Sequence, residues 1–372
     1  MAAEALTVSV GPASATLPVQ EITFFDSLKM TFNVDAGDSL TFAVPAFSPE
    51  AVFLDELASD IWVDGIVRQR YRVIDLSQAW DEDGNDQIAV TAVSYKRLLR
   101  GRNLKTALDF GPSPLVEQGD IIWALIAHTQ AQPGGNWRVT KGVTATGQLR
   151  ERHYVIGENI GDLADKLSGV INGCWYGIDA DLVFTAKLPS AFSTWSLPLQ
   201  LGVTARRMAR KGAADKFANA VLASGDNMQT TPVWAEVAGI ATDARGRWEA
   251  TSSHPSVIVQ SSLVEMAQGD LSAAMNPPAT WTAEIEPDRW VTDAKFMPGE
   301  YVIALTPQTL AAPIGAPPLA YKLQVIETSV TYTADGDLAV SLSAAEISTF
   351  NLIADSARVG TARVGVARVG VG

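Results

Sequence analysis

Two segments far apart in the chain repeat one pattern, and no other feature constrains the fold as much. YRVIDLSQAWDEDGNDQIAVTAV (residues 71–93) and KLQVIETSVTYTADGDLAVSLSA (residues 322–344) contain Val73-Ile74-Asp75 and Val325-Ile326-Glu327. In each, an Asp-Gly turn follows the acidic residue at the same eight-residue distance, Asp83-Gly84 and Asp335-Gly336. A second alternating run comes next, IAVTAV or LAVSLS, offset by a two-residue insertion. Asp-Gly between alternating apolar runs is a hairpin signal, and a short helix followed by strands precedes each copy. Two copies of one small β domain per chain would let three chains close a ring of six similar domains.

The segments around the repeat fit this plan. EITFFDSLKMTFNV, the turn DAGD and SLTFAVP read as a hairpin over residues 21–45. SPEAVFLDEL opens with Ser48 as N-cap and Pro49 at the first helical position. DIIWALIAHTQ reads as a helix, and NIGDLADKLSGVING sets Ile160, Leu163, Ala164, Leu167, Val170 and Ile171 at helical spacing. CWYGIDADLVFTA follows as a hairpin. DKFANAVLASG, TWTAEIE, EYVIALT, YKLQVIETSVTYT and DLAVSLSA are strands, and SSLVEMAQGDLSAAM is a helix. The expected fold class is α+β, mainly β: two tube-type β-barrel domains, each with a helix, plus a middle α+β module. Residues 1–108 form the first domain, 109–199 the middle module and 200–350 the second domain, with insertions at about 230–260. Residues 351–372 are a repeat tail.

Composition narrows the function. A formal net charge of −13 disfavours a nucleic-acid groove, whose affinity comes from Lys and Arg neutralising phosphate. It suits a surface that DNA passes without binding. No run approaches the roughly 20 apolar residues of a membrane span. MAAEALTVSV has neither the basic flank nor the apolar block of a signal peptide, so synthesis in a cytoplasm is expected. Cys174 is the one cysteine and sits in apolar GVINGCWYGI, a setting for an inert core thiol. DEDGND departs from the EF-hand pattern, with Asp86 and Ala92 where Gly and Glu belong. His128, His153 and His254 have no partner at metal-ligand spacing. Phosphate-loop and nucleophile-elbow motifs are missing, so no enzyme activity, catalytic residue, metal or cofactor is expected.

Positive charge is concentrated in three places. YKRLLRGRNLK contains Lys96, Arg97, Arg100 and Arg102; TARRMARKG contains Arg206, Arg207, Arg210 and Lys211. Isolated in an acidic chain, these residues are expected to make interdomain or intersubunit ion pairs. The third place is the terminal SARVGTARVGVARVGVG, with Arg358, Arg363 and Arg368 in five-residue steps. A five-residue step points successive arginines to opposite faces of a strand, so the tail is expected to work as three copies on a threefold axis, closing a tip or contacting a partner.

The block AGDSLTFAVPAFSPEAVFLDELASDIWVDGIVRQRYRVIDLS, followed by IAVTAVSYKRLLRGRNL, resembles the N-terminal part of the baseplate hub, or tail-associated hub, proteins of long-tailed phages. The resemblance is especially to minor tail proteins of phages of actinobacteria. SSLVEMAQGDLSAAMNPPATWTAEI and MPGEYVIAL resemble the second half of the family, so the likeness runs over about residues 20 to 350. The resemblance implies a homotrimer whose two tube-like domains form a pseudo-sixfold ring at the virion tail tip. That ring continues the tail tube, adapts it to a threefold tip and surrounds the DNA channel. The implied partners are a distal tail protein or tail tube above, fibre or other tip proteins below and the tape measure protein in the lumen. DNA passes without specific binding, and the host cell surface is met indirectly. Some relatives carry long C-terminal peptidase or fibre domains; here a short repeat stands instead, so no enzymatic activity is carried over. The competing reading is a receptor- or glycan-binding minor tail protein whose Trp residues stack on sugars, though Trp123, Trp175 and Trp281 lie in apolar-periodic segments that suit a core.

Overall fold

The computed structural model describes residues 6–347 apart from 35–36, 66, 81–85, 112, 169–172, 189–190, 193, 195–196, 213, 226–233, 240–245, 254–259, 276, 293–296, 307–318 and 334–336. The chain is mainly β with few helices, an α+β protein of the expected class. It divides into two compact units, residues 1–208 with 282–344 and residues 209–281 with 345–372.

The first section holds β1 (Thr7–Pro12), β2 (Gln20–Glu21), β3 (Ser27–Asn33), β4 (Ser39–Pro45), β5 (Ser59–Asp64), β6 (Gln69–Trp80), β7 (Asp86–Ser94) and α1 (Tyr95–Leu98). The expected hairpin is β3–β4, with Leu28 opposite Phe42 and Met30 opposite Leu40. The helix expected after Ser48 is only a 3-10 turn, Pro49–Phe53, and the Ser48 side chain caps no N–H. Five residues allow little more than one turn, for which 3-10 geometry is common. β6 and β7 pair from Tyr71–Ser94 to Trp80–Asp86, with a bulge between Val73 and Asp75.

Next come β8 (Leu108–Phe110), β9 (Val116–Glu117), α2 (Gln118–Gln130), β10 (Thr140–Lys141), β11 (Leu149–Arg150), β12 (Arg152–Tyr154), α3 (Ile160–Ser168), β13 (Trp175–Ile178) and β14 (Val183–Lys187). α2 buries Ile121, Ile122, Leu125 and Ile126, and α3 buries Ile160, Leu163, Ala164 and Leu167, all in one core with Tyr176 and Phe184 of the β13–β14 hairpin. Val170 and Ile171 lie outside the described residues.

The rest comprises β15 (Leu199–Gln200), β16 (Ala205–Lys211), β17 (Ala220–Ser224), β18 (Trp234–Ala238), β19 (Glu249–Ser253), α4 (Gln260–Met275), β20 (Thr280–Ile285), α5 (Pro287–Thr292), β21 (Tyr301–Thr306), β22 (Leu319–Thr333) and β23 (Leu338–Glu346). In the second unit β18-β17-β19 form a sheet on α4, with Ala223, Ala235, Leu263 and Ala267 between them.

One sheet collects strands of both repeats in the order β16-β20-β23-β22-β3-β4-β7-β6-β5-β1-β2, with β21 on β22 and β15 on β21. Two runs of that sheet are the same. β3-β4-β7-β6-β5 matches β16-β20-β23-β22-β21 strand for strand, in chain order as well as in space. A short helix follows the second strand of each, the 3-10 turn in one and α5 in the other. Ile61 opposes Tyr71 in the first, as Val302 opposes Leu323 in the second. Trp80–Asp86 bracket the first hairpin tip, and the Thr333 amide bonds the Asp337 carbonyl across the second. Aligned on their tips, the hairpins match Val90 with Leu342 and need no two-residue insertion. Strands have a period of two, so a slip of two residues leaves the alternation intact and is invisible in the sequence pattern.

β22 serves two partners. Its first half pairs with β21, and Glu327 to Thr333 pair antiparallel with Asn33 to Ser27 of β3. The buried alternation of β22 changes phase between Val325 and Thr328, where β6 has its bulge. Leu28, Met30 and Phe32 of β3 and Thr328 and Val330 of β22 are all buried at this joint. Replacing a buried Met by Ala costs about 2–5 kcal/mol. Met30→Ala should therefore lower the unfolding free energy by that much in urea titration, whereas Gln78→Ala, at the exposed counterpart of Val330, should stay within about 0.5 kcal/mol.

Candidate functional site

Within the first unit, polar chemistry is densest around Asp60, which is fully buried on β5. Arg70 Nε reaches Asp60 Oδ2 at 2.7 Å and Arg72 Nε reaches Oδ1 at 2.5 Å. The Tyr95 hydroxyl donates to Asp60 Oδ2 at 2.6 Å and accepts from Arg72 Nη2 at 2.6 Å. Burial, reinforced by the Asp60 carboxylate, pushes the Tyr95 phenol up to about 12. Arg70 stacks over Trp62 at 4.4 Å. It also donates to the carbonyls of Ala13 and Ala15, which accept from Arg138 as well. No buried side-chain donor or acceptor of Asp60, Arg70, Arg72 or Tyr95 lacks a partner, the condition for keeping charge in a core. The sequence signal was present in the alternation of Arg70 and Arg72, which share one face of a strand, but their acid lies ten or more residues upstream.

The expected contact residues fall into two groups. Lys96 is buried; its Nζ donates to the Val34 carbonyl at 2.5 Å and lies 4.3 Å from the Tyr176 ring centre. Arg100 pairs with Asp165 at 2.8 Å, Arg102 lies over Trp137 at 4.7 Å, and Arg97 is exposed. The second basic segment is the strand β16, which the sequence reading missed because its charges mask the alternation. Arg206 pairs with Glu286 at 2.9 Å and Arg207 with Glu284 at 3.6 Å. In the second unit Arg210 pairs with Glu346 at 2.9 Å, and the Trp281 indole donates to the same carboxylate at 3.1 Å. Lys211 is exposed. Arg358, Arg363 and Arg368 lie outside the described residues, as do His254 and most of DEDGND.

Several edges of the large sheet have no strand partner among the described residues, and two of them belong to β16 and β6. One is the outer edge of β16, beyond the bridge from Leu201 to Ala205. The other is the distal half of β6, where pairing with β5 stops at Arg72. There the Leu76 amide is held by Glu56 Oε1 at 3.0 Å, and Trp80 is 68% exposed. No group of three or more His, Cys, Asp or Glu side chains among the described residues is placed to hold a metal. No described helix is long and apolar enough to cross a membrane.

No protein-family model matches the chain, and no curated protein matches it. Solved structures do. The tail protein from Neisseria meningitidis MC58 superposes with a TM-score of 0.61 at 12% identity, over 92% of this chain and 96% of its own. The 43 kDa tail protein of prophage MuSo2 from Shewanella oneidensis gives 0.61 at 12% identity, over 91% and 98%. Prophage tail protein gp18 from Listeria monocytogenes EGD-e gives 0.56 at 14% identity, over 95% and 99%. The fold is that of phage tail proteins. It spans nearly the whole chain, so both β sections and the segments between them belong to it.

Cys174 is buried, and burial pushes its thiol up to about 11. At pH 8 it should resist a thiol reagent in the folded chain and react at once in denaturant; rapid native labelling would show an open site. Removing the charge of Asp60 would strand two guanidiniums in the core. Losing one partner of a buried pair costs about 3–5 kcal/mol, so Asp60→Asn should lower the unfolding free energy by that amount in denaturant titration.

Proposed function

We propose that the chain is the structural hub of a phage tail tip, a homotrimer forming a pseudo-sixfold ring around the DNA channel. The observation that carries this reading is the repeated strand order. One chain contributes two equivalent five-strand runs to one sheet, so three chains would supply six. Cyclic closure of a head-to-tail contact turns that count into a ring that is sixfold in domains and threefold in chains. The shared fold with phage tail proteins supports placement in a virion tail.

In this reading the two runs are the tube-like domains, and residues 109–199 pack as a module beside them. A tail tube or distal tail protein lies above, fibre or tip proteins lie below, and the tape measure protein occupies the lumen. The net charge of −13 suits a channel that DNA passes without binding. Arg358, Arg363 and Arg368 would meet acidic groups of a tip partner. Lys96, Arg100 and Arg102 would fix the middle module, and Arg206, Arg207, Arg210 and Lys211 would lie at the subunit boundary. The role is structural, without catalysis.

The test is mass in solution. The purified chain, alone or with its tail partners, should give a particle three times 39.6 kDa in chain content. A chain that remains a monomer in both conditions overturns the ring.

A further inference from the structure

The sheet contains one complete joint between repeats and, at two of its edges, the unmatched halves of another. At the complete joint the distal half of β22 pairs antiparallel with β3. By strand order the counterpart of that half is Asp75 to Trp80 of β6, and the counterpart of β3 is β16. Among the described residues, both lack a strand partner on the side concerned. We propose that the distal half of β6 in one subunit pairs antiparallel with β16 of the next, reproducing the β22–β3 joint between chains. The inference rests on the ring reading and specifies how the ring closes.

Exposure agrees with this assignment. Thr328 and Val330, opposite Phe32 and Met30 of β3, are 0% exposed. Their counterparts Leu76 and Gln78 are half-buried and exposed. Tyr332, half-buried against Leu28, corresponds to Trp80, which is 68% exposed. The same face is covered in one repeat and open in the other.

Contacts already in place favour one register. Glu346 binds both Arg210 and Trp281, and Arg207 pairs with Glu284, as expected if each pair stands side by side on β16 and β20; the Glu286 N to Thr204 O bond before β16 is one residue out of that step. Two residues along, Met208 stands beside Ala283. The bond from Glu346 N to Ala279 O, extended along β20, sets Ala283 beside Leu342, the counterpart of Val90. Val90 opposes Phe42, and Phe42 opposes Leu28. Met208 is therefore the counterpart of Leu28. Because Leu28 opposes Tyr332, Met208 of one subunit would oppose Trp80 of the next, a thioether–aromatic contact. Lys29 opposes Thr331, which brings Ala209 against Ala79.

Charge favours the same partner. β16 carries Arg206, Arg207, Arg210 and Lys211; the three arginines already pair with Glu286, Glu284 and Glu346, so the repulsion between two β16 edges is only partly offset. β6 has Asp75 in its distal half and runs into DEDGND, which supplies the opposite sign.

Cysteine cross-linking of the full chain tests the joint. Ala79→Cys combined with Ala209→Cys, mildly oxidised, should yield interchain disulfides and a covalent trimer on a non-reducing gel. Either substitution alone should give none, since Cys174 is buried. A threefold particle in which neither this pair nor Ser77→Cys with Ala209→Cys cross-links would overturn the joint and leave the ring standing. A covalent ladder running past three chains would support the joint and overturn the trimer. A chain that stays monomeric and uncross-linked both alone and with its tail partners would overturn both.

Discussion

The pairing of β22 with β3 is the constraint on which the large sheet depends. It joins the last repeat to the first across most of the chain, with the Asn33 amide donating to Glu327 at 2.9 Å over a separation of 294 residues. Without it, the two five-strand runs would be separate sheets, each with bare strand edges. With it, apolar rows from both repeats, Leu28, Met30 and Phe32 against Thr328 and Val330, share one buried surface. Backbone pairing sets the direction and burial sets the register, since a one-residue slip would turn that row to solvent.

A second constraint acts within the first repeat. Asp60 gathers Arg70, Arg72 and Tyr95, and Arg70 with Arg138 holds the carbonyls of Ala13 and Ala15. The cluster ties β5, β6 and α1 to the loop after β1. Apolar residues of equal volume could hold such a site as firmly, so the charges contribute geometry more than stability. Each guanidinium has fixed directions, and together they allow one arrangement of the loop.

The sequence revealed the fold wherever local chemistry decides structure. The Asp-Gly turns and alternating runs identified both hairpins, and the apolar spacing of α2 and α3 identified the helices that pack on β13 and β14. It failed where structure depends on distant partners. β16 is a strand because β20 supplies its ladder, yet its side chains are mostly charged and hide the alternation. The 3-10 turn after Ser48 looked like a helix because capping signals do not encode length. Asp60 bonds residues up to 35 positions away, and no local pattern reports that. Of the candidate contact residues, Lys96, Arg100 and Arg102 proved tied to residues of the middle segment, a pairing that charge alone could not specify.

The long reach of β22 also bears on synthesis. At roughly 5–20 residues per second, a ribosome needs on the order of 15 to 60 s to travel from β3 to β22. During that interval the first repeat can form its own hairpins, but β3 has a bare edge and its apolar row is uncovered. An exposed strand edge is a template for wrong pairing, including with a neighbouring nascent chain on the same message. The polar and charged residues that alternate with that row, Ser27, Lys29, Thr31 and Asn33, occupy the positions where such gatekeepers limit self-association. Folding of the first repeat is thus completed by a strand made 294 residues later.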